Sequence, residues 1–128
     1  MDKSPKEHWK NEPEEHDFPA AVEYLSLLLD PDAARSAVSG LRHATGTTKK
    51  AKDLLRASGL ALLPPDNAHV AGDLAKVKAG NALSPVLLVR GRMLHGHPLT
   101  IADGYHRVCA SYHLDENADI PCRIVDVT

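Results

Sequence analysis

The stretch from Leu99 to His113 reads LTIADGYHRVCASYH. Alternating apolar residues over Leu99–Ala102 predict a strand, Asp103-Gly104 a turn, and the residues from Tyr105 to about Leu114 a helix. A glycine at a strand-to-helix turn accepts backbone angles that other residues resist. The first N–H groups of the helix that follows have no intrahelical partner, and the positive end of the helix dipole lies behind them. With His106 and Arg107 in its first turn, this junction is a candidate anion site, most naturally for phosphate. Arg107 suits bidentate contact with phosphate oxygens, and His106 supplies a further donor.

Outward from this turn, Val86–Val89 is a compact apolar run that predicts a buried strand, and Gly91–Pro98 a hairpin-like loop. Ile120–Val127 predicts a last strand. Leu60–Leu63, stopped by Pro64-Pro65, reads as a first strand. Asp66 or Asn67 suits the cap of a helix carrying Val70, Leu74 and Val77 and ending at Gly80. Residues 60–128 therefore read β-α-β-β-α-β.

The first half has a different character. Residues 1–16 are polar, broken by Pro5 and Pro13, and read as a disordered arm in which Trp9 is the one residue suited to docking. Asp17 as cap and Pro19 in the first turn open a helix whose Ala21, Tyr24, Leu25, Leu28 and Leu29 share a face. Asp30-Pro31 ends it, and a second helix is expected over Asp32–Ala44. A third, capped by Thr47 or Thr48, closes at Ser58-Gly59. The expected organisation is a single α+β domain over residues 17–128, helical over 17–59 and β-α-β-β-α-β over 60–128.

Composition bounds the function. With 128 residues, 43% hydrophobic and 25% charged, the chain suits one soluble domain with its own core. A net charge of −2 and a pI near 6.4 argue against a general nucleic-acid binder, which carries a strong basic excess. The basic face of Lys49, Lys50, Lys52 and Arg56 reads first as solvated surface, with nucleic-acid contact the minority reading. No apolar run approaches a bilayer span, and MDKSPKEHWK has no apolar core of a secretory signal. Cys109 and Cys122 are isolated and read as reduced, buried thiols, so a cytoplasmic location is expected. His95, His97 and His106 offer three imidazoles, but their spacing demands no metal site, and none is assigned.

The run DNAHVAGDLAKVKAG, then SPVLLVRG, LTIADGYHR, a helix and IPCRIVDV resembles the ParB/sulfiredoxin-like superfamily over roughly residues 60–127. The resemblance implies that Gly104, Tyr105, His106 and Arg107 take the place of that superfamily's Gly-Cys-His-Arg or Gly-Glu-Arg-Arg turn, where nucleotide phosphates are held. It further implies ligand contacts from His69 and Lys76 on the preceding helix and from Ser84 in the loop before the buried strand. Asp103 is a candidate for a ribose hydroxyl or a hydrated Mg²⁺, against a plain turn-stabilising role. ATP, ADP or CTP with Mg²⁺ are the implied ligands. Two departures narrow this. Tyr105 stands where sulfiredoxin has its catalytic Cys, which argues against peroxiredoxin repair, and no helix-turn-helix module of the ParB kind follows.

The leading expectation is a nucleotide- or phosphate-binding protein. One alternative is a small-molecule phosphotransferase or nucleotide hydrolase, with Asp66, Asp73 and Asp103 as acidic candidates for its base. Another is a non-catalytic regulatory or nucleic-acid-associated module. The sequence leaves open whether the protein is an enzyme.

Overall fold

The protein is described here by a computed structural model covering residues 6–127. A four-stranded mixed sheet forms its centre, built from β2 (Thr47–Lys50), β4 (Val86–Val89), β5 (Thr100–Asp103) and β6 (Asp119–Val125) in the order β2-β6-β4-β5. β4 runs parallel to β6 and antiparallel to β5, and β2 is antiparallel to β6. Five helices cover the sheet: α1 (Asp17–Leu25), α2 (Pro31–His43), α3 (Ala51–Ser58), α4 (Ala68–Lys78) and α5 (Tyr105–Leu114). This is the expected α+β class.

The Val-Leu-Leu-Val run of β4 has a simple cause. Val86 and Leu88 point into a core with Leu54, Leu55, Val70, Val108 and Ile120, which belong to α3, α4, α5 and β6. Leu87 and Val89 point the other way, into a core with Phe18, Leu25, Val38 and Leu41 of α1 and α2. A central strand buried on both faces has no polar face to show, so its apolar residues run without alternation. The helices before residue 59 thus divide between two layers, with α1 and α2 on one face and α3 joining α4 and α5 on the other.

Several expectations need correction. Thr47–Lys50 is a strand, not the start of a helix, so the first half is not all helical. Its four exposed residues carry no apolar signal; pairing with β6, Thr47 opposite Cys122 and Lys50 opposite Asp119, makes it a strand. Leu60–Leu63 forms no strand. Side chains hold its backbone instead: Tyr105 Oη donates to the Ala61 carbonyl, and His113 Nε2 lies 2.7 Å from the Leu63 carbonyl. Asp17 begins α1 without capping it, and the helix stops at Leu25, four residues short of the expected Leu29.

The polar arm is also revised. Its residues 1–5 lie outside the described residues, but residues 6–16 run along the domain. β1 (His8–Trp9) pairs in parallel with β3 (Ala82–Leu83), and the Lys10 N–H donates to the Leu83 carbonyl at 2.8 Å. Trp9 packs against the α3–α5 core, and Glu7 accepts from the Ser111 hydroxyl. The apolar area of one indole and a short ladder hold this polar segment in place. Among the described residues no helix is long and apolar enough to cross a membrane.

Candidate functional site

β5 ends at Asp103, the chain turns at Gly104, and α5 begins at Tyr105. Gly104 has φ 107°, which side-chain-bearing residues rarely adopt. A Cβ there would lie 2.8 Å from Arg107 Nη2 and 2.9 Å from Val86 Cγ2. Glycine is needed twice over, for the turn and for the guanidinium folded against it. Arg107 Nη2 donates to Asp103 Oδ2 at 2.8 Å and to the Pro85 carbonyl at 3.4 Å, while its buried Nε has no partner among the described residues.

α4 faces this turn. Asn67 caps it, its Oδ1 accepting from the N–H groups of His69 and Val70 at 3.0 and 3.2 Å. His69, Gly72, Asp73 and Lys76 then follow at helical spacing, on one stripe. Between that stripe and the Asp103–Arg107 turn lies a polar cleft of about 280 Å³. His69 and His106 close one end, their ring centroids 4.7 Å apart.

The cleft balances its charges. Lys76 and Arg107 supply two cations, Asp73 and Asp103 two carboxylates. Burial pushes both carboxyl groups above the usual carboxylate range, against the pull of Lys76 on Asp73 and of Arg107 on Asp103. His106 is held below the ordinary imidazole value, chiefly by burial and then by neighbouring His69, with Asp73 opposing. Desolvation is the first cause in each case, as expected where water is partly excluded.

Six of the eight residues singled out in the sequence line this one cleft: His69, Lys76, Asp103, Gly104, His106 and Arg107. Two do not. The Tyr105 side chain turns back to the Ala61 carbonyl, away from the cleft. Ser84 is buried; its hydroxyl donates to the Asp17 carboxylate and accepts from the Glu14 N–H at 3.1 Å. It serves as a structural tie for α1. Of the acidic candidates, Asp73 and Asp103 reach the cleft, while Asp66 stays on an exposed turn outside it. Gly72 and Ala68 also line the cleft, and helical spacing from His69 and Lys76 was the signal available for both.

A larger hollow of about 400 Å³ lies elsewhere, lined by Trp9, Lys10, Thr47, Thr48 and Arg123 among others. Its guanidinium is already engaged, since Arg123 Nη1 donates to the Leu41 and Arg42 carbonyls at the end of α2. No group of three or more His, Cys, Asp or Glu residues is placed to hold a metal ion among the described residues. Comparison of the chain with protein-family models, curated proteins and solved structures gives no significant match.

Proposed function

We propose that this protein binds a phosphate-bearing ligand, a nucleotide among the candidates, in the cleft between α4 and the Gly104–Arg107 turn. The observation that carries this reading is the packing of Arg107 against a left-handed Gly104 at the opening of a ten-residue helix. It puts a guanidinium beside unpaired backbone donors at the positive end of a helix dipole. Lys76 adds a second cation from the facing helix. The likeness of the sequence to the ParB/sulfiredoxin-like superfamily supports the same reading, and with it ATP, ADP or CTP with Mg²⁺ as ligands.

Titration calorimetry with inorganic phosphate, ATP, ADP and CTP, each with Mg²⁺, tests it. Binding is expected for at least one of these, and Arg107→Ala should cost about 1.5–3 kcal/mol of it. Failure of every probe to bind, or equal binding by Arg107→Ala, overturns the assignment. The 2.8 Å Arg107–Asp103 pair favours a second reading, a regulatory module whose cation is satisfied internally and which binds none of these anions. A phosphotransferase or hydrolase would draw its base from Asp73 or Asp103, and nucleotide turnover lost in Asp73→Ala would support it.

A further inference from the structure

We infer that the ligand of this cleft is a phosphorylated sugar, either free or as the ribose-phosphate end of a nucleotide, with its ring over Gly72 and a hydroxyl on Asp73. The inference rests on the phosphate-site reading and concerns what lies beyond the phosphate.

Gly72 sits in the middle of α4, where glycine weakens a helix relative to alanine. No packing demand explains it. A Cβ built there meets nothing within 4 Å, and its backbone angles are those any residue adopts. What the missing side chain leaves is floor space in the cleft, flanked on the same stripe by His69, Asp73 and Lys76. A small puckered ring can rest there against the helix backbone.

Asp73 supplies the second half. Its side chain is 14% exposed, and its one cationic partner among the described residues is Lys76, at 3.9 Å and beyond hydrogen-bond reach. No described residue donates a hydrogen bond to it. Its oxygens face the cleft and are not held by donors among the described residues, so they are available to accept from a ligand hydroxyl in place of water. A phosphate held by Arg107 and Lys76 leaves Asp73 facing another part of the ligand, and a group that donates suits it there. Sugar hydroxyls do so without adding charge.

Size and lining point the same way. About 280 Å³ is at the small end for ligand sites, and among the described residues Ala68 is the one apolar side chain in the lining. A phosphosugar fits that space and polarity.

The test is calorimetry on the full chain with inorganic phosphate, ribose 5-phosphate, ATP and CTP, using wild type, Gly72→Leu and Asp73→Asn. Ribose 5-phosphate should bind about tenfold more tightly than inorganic phosphate, because it adds charge-assisted hydrogen bonds to Asp73. Matching affinities for ribose 5-phosphate and the nucleotides would assign a free sugar phosphate; a large nucleotide advantage would assign the nucleotide source. Gly72→Leu should raise the melting temperature by about 3 °C, through helix propensity, while weakening ribose 5-phosphate about tenfold. Asp73→Asn should weaken ribose 5-phosphate yet leave inorganic phosphate as tight or tighter. If ribose 5-phosphate binds wild type, Gly72→Leu and Asp73→Asn alike, the ring position is wrong and the phosphate site stands. If no probe binds wild type, both readings fall.

Discussion

Arg107 and Asp103 clasp each other across Gly104, Nη2 to Oδ2 at 2.8 Å, with side chains only 16% and 19% exposed. The clasp crosses the junction where β5 becomes α5, so its members answer to both the fold and the cleft. Burial nonetheless holds the Asp103 carboxyl above its ordinary range, so desolvation outweighs the attraction of its partner. Asp103→Asn keeps an acceptor for Arg107 and removes a buried negative charge. It should bind inorganic phosphate about three- to tenfold more tightly than wild type. Calorimetry decides, and equal or weaker binding would show that Asp103 does not compete with the ligand.

Gly104→Ala meets both obstacles at once, a positive φ and a Cβ 2.8 Å from the guanidinium. A loss of about 1–3 kcal/mol in urea unfolding is expected, together with weakened anion binding as Arg107 is pushed away. An unchanged midpoint would mean that the turn relaxes freely.

The pH dependence of stability follows from His106. Its folded value lies below the ordinary 6.5, so the folded state favours the neutral ring. The stabilisation is complete above 6.5 and is lost as the pH falls through the folded value, because the unfolded chain takes up the proton first. His106→Gln should flatten this part of the decline below pH 6.5. Parallel denaturation curves for wild type and variant across that range would contradict it.

Ser84 gives the opposite test. Its hydroxyl is spent on Asp17 and the Glu14 N–H, inside the protein. Ser84→Ala should cost about 1–3 kcal/mol of stability, since Asp17 loses a donor while buried, and should leave affinity for phosphate unchanged. A drop in affinity without a drop in stability would return Ser84 to the ligand site.

The parts legible in the sequence were those whose physics is local. A helix cap at Asp66 or Asn67, the burial of Val86–Val89 and the Asp103-Gly104 turn are each written in a few adjacent residues. What escaped depends on partners far along the chain. Thr47–Lys50 is a strand because Asp119–Cys122 lies beside it, and His8–Trp9 is ordered because Ala82–Leu83 offers an edge. Leu60–Leu63 has the apolar content of a strand, but Tyr105 and His113 take up two of its carbonyls. In the cleft, His69 and Lys76 were placed by the family likeness and Asp73 was one acidic candidate among three. Helical spacing set Gly72 on the stripe of His69 and Lys76, and the fold adds the room that its missing side chain leaves.

β2 closes one side of the sheet with Thr47, Thr48, Lys49 and Lys50, all exposed. An edge strand can template another chain's strand; the exposed Lys49 makes that addition unfavourable, while the Lys50 ammonium turns to Asp119 Oδ1 of β6 at 3.5 Å. The basic face that reads from the sequence first as solvated surface thus lies partly on a sheet edge, where charge discourages pairing between copies of this protein. Neutralising Lys49 should therefore raise self-association at high concentration, read by light scattering.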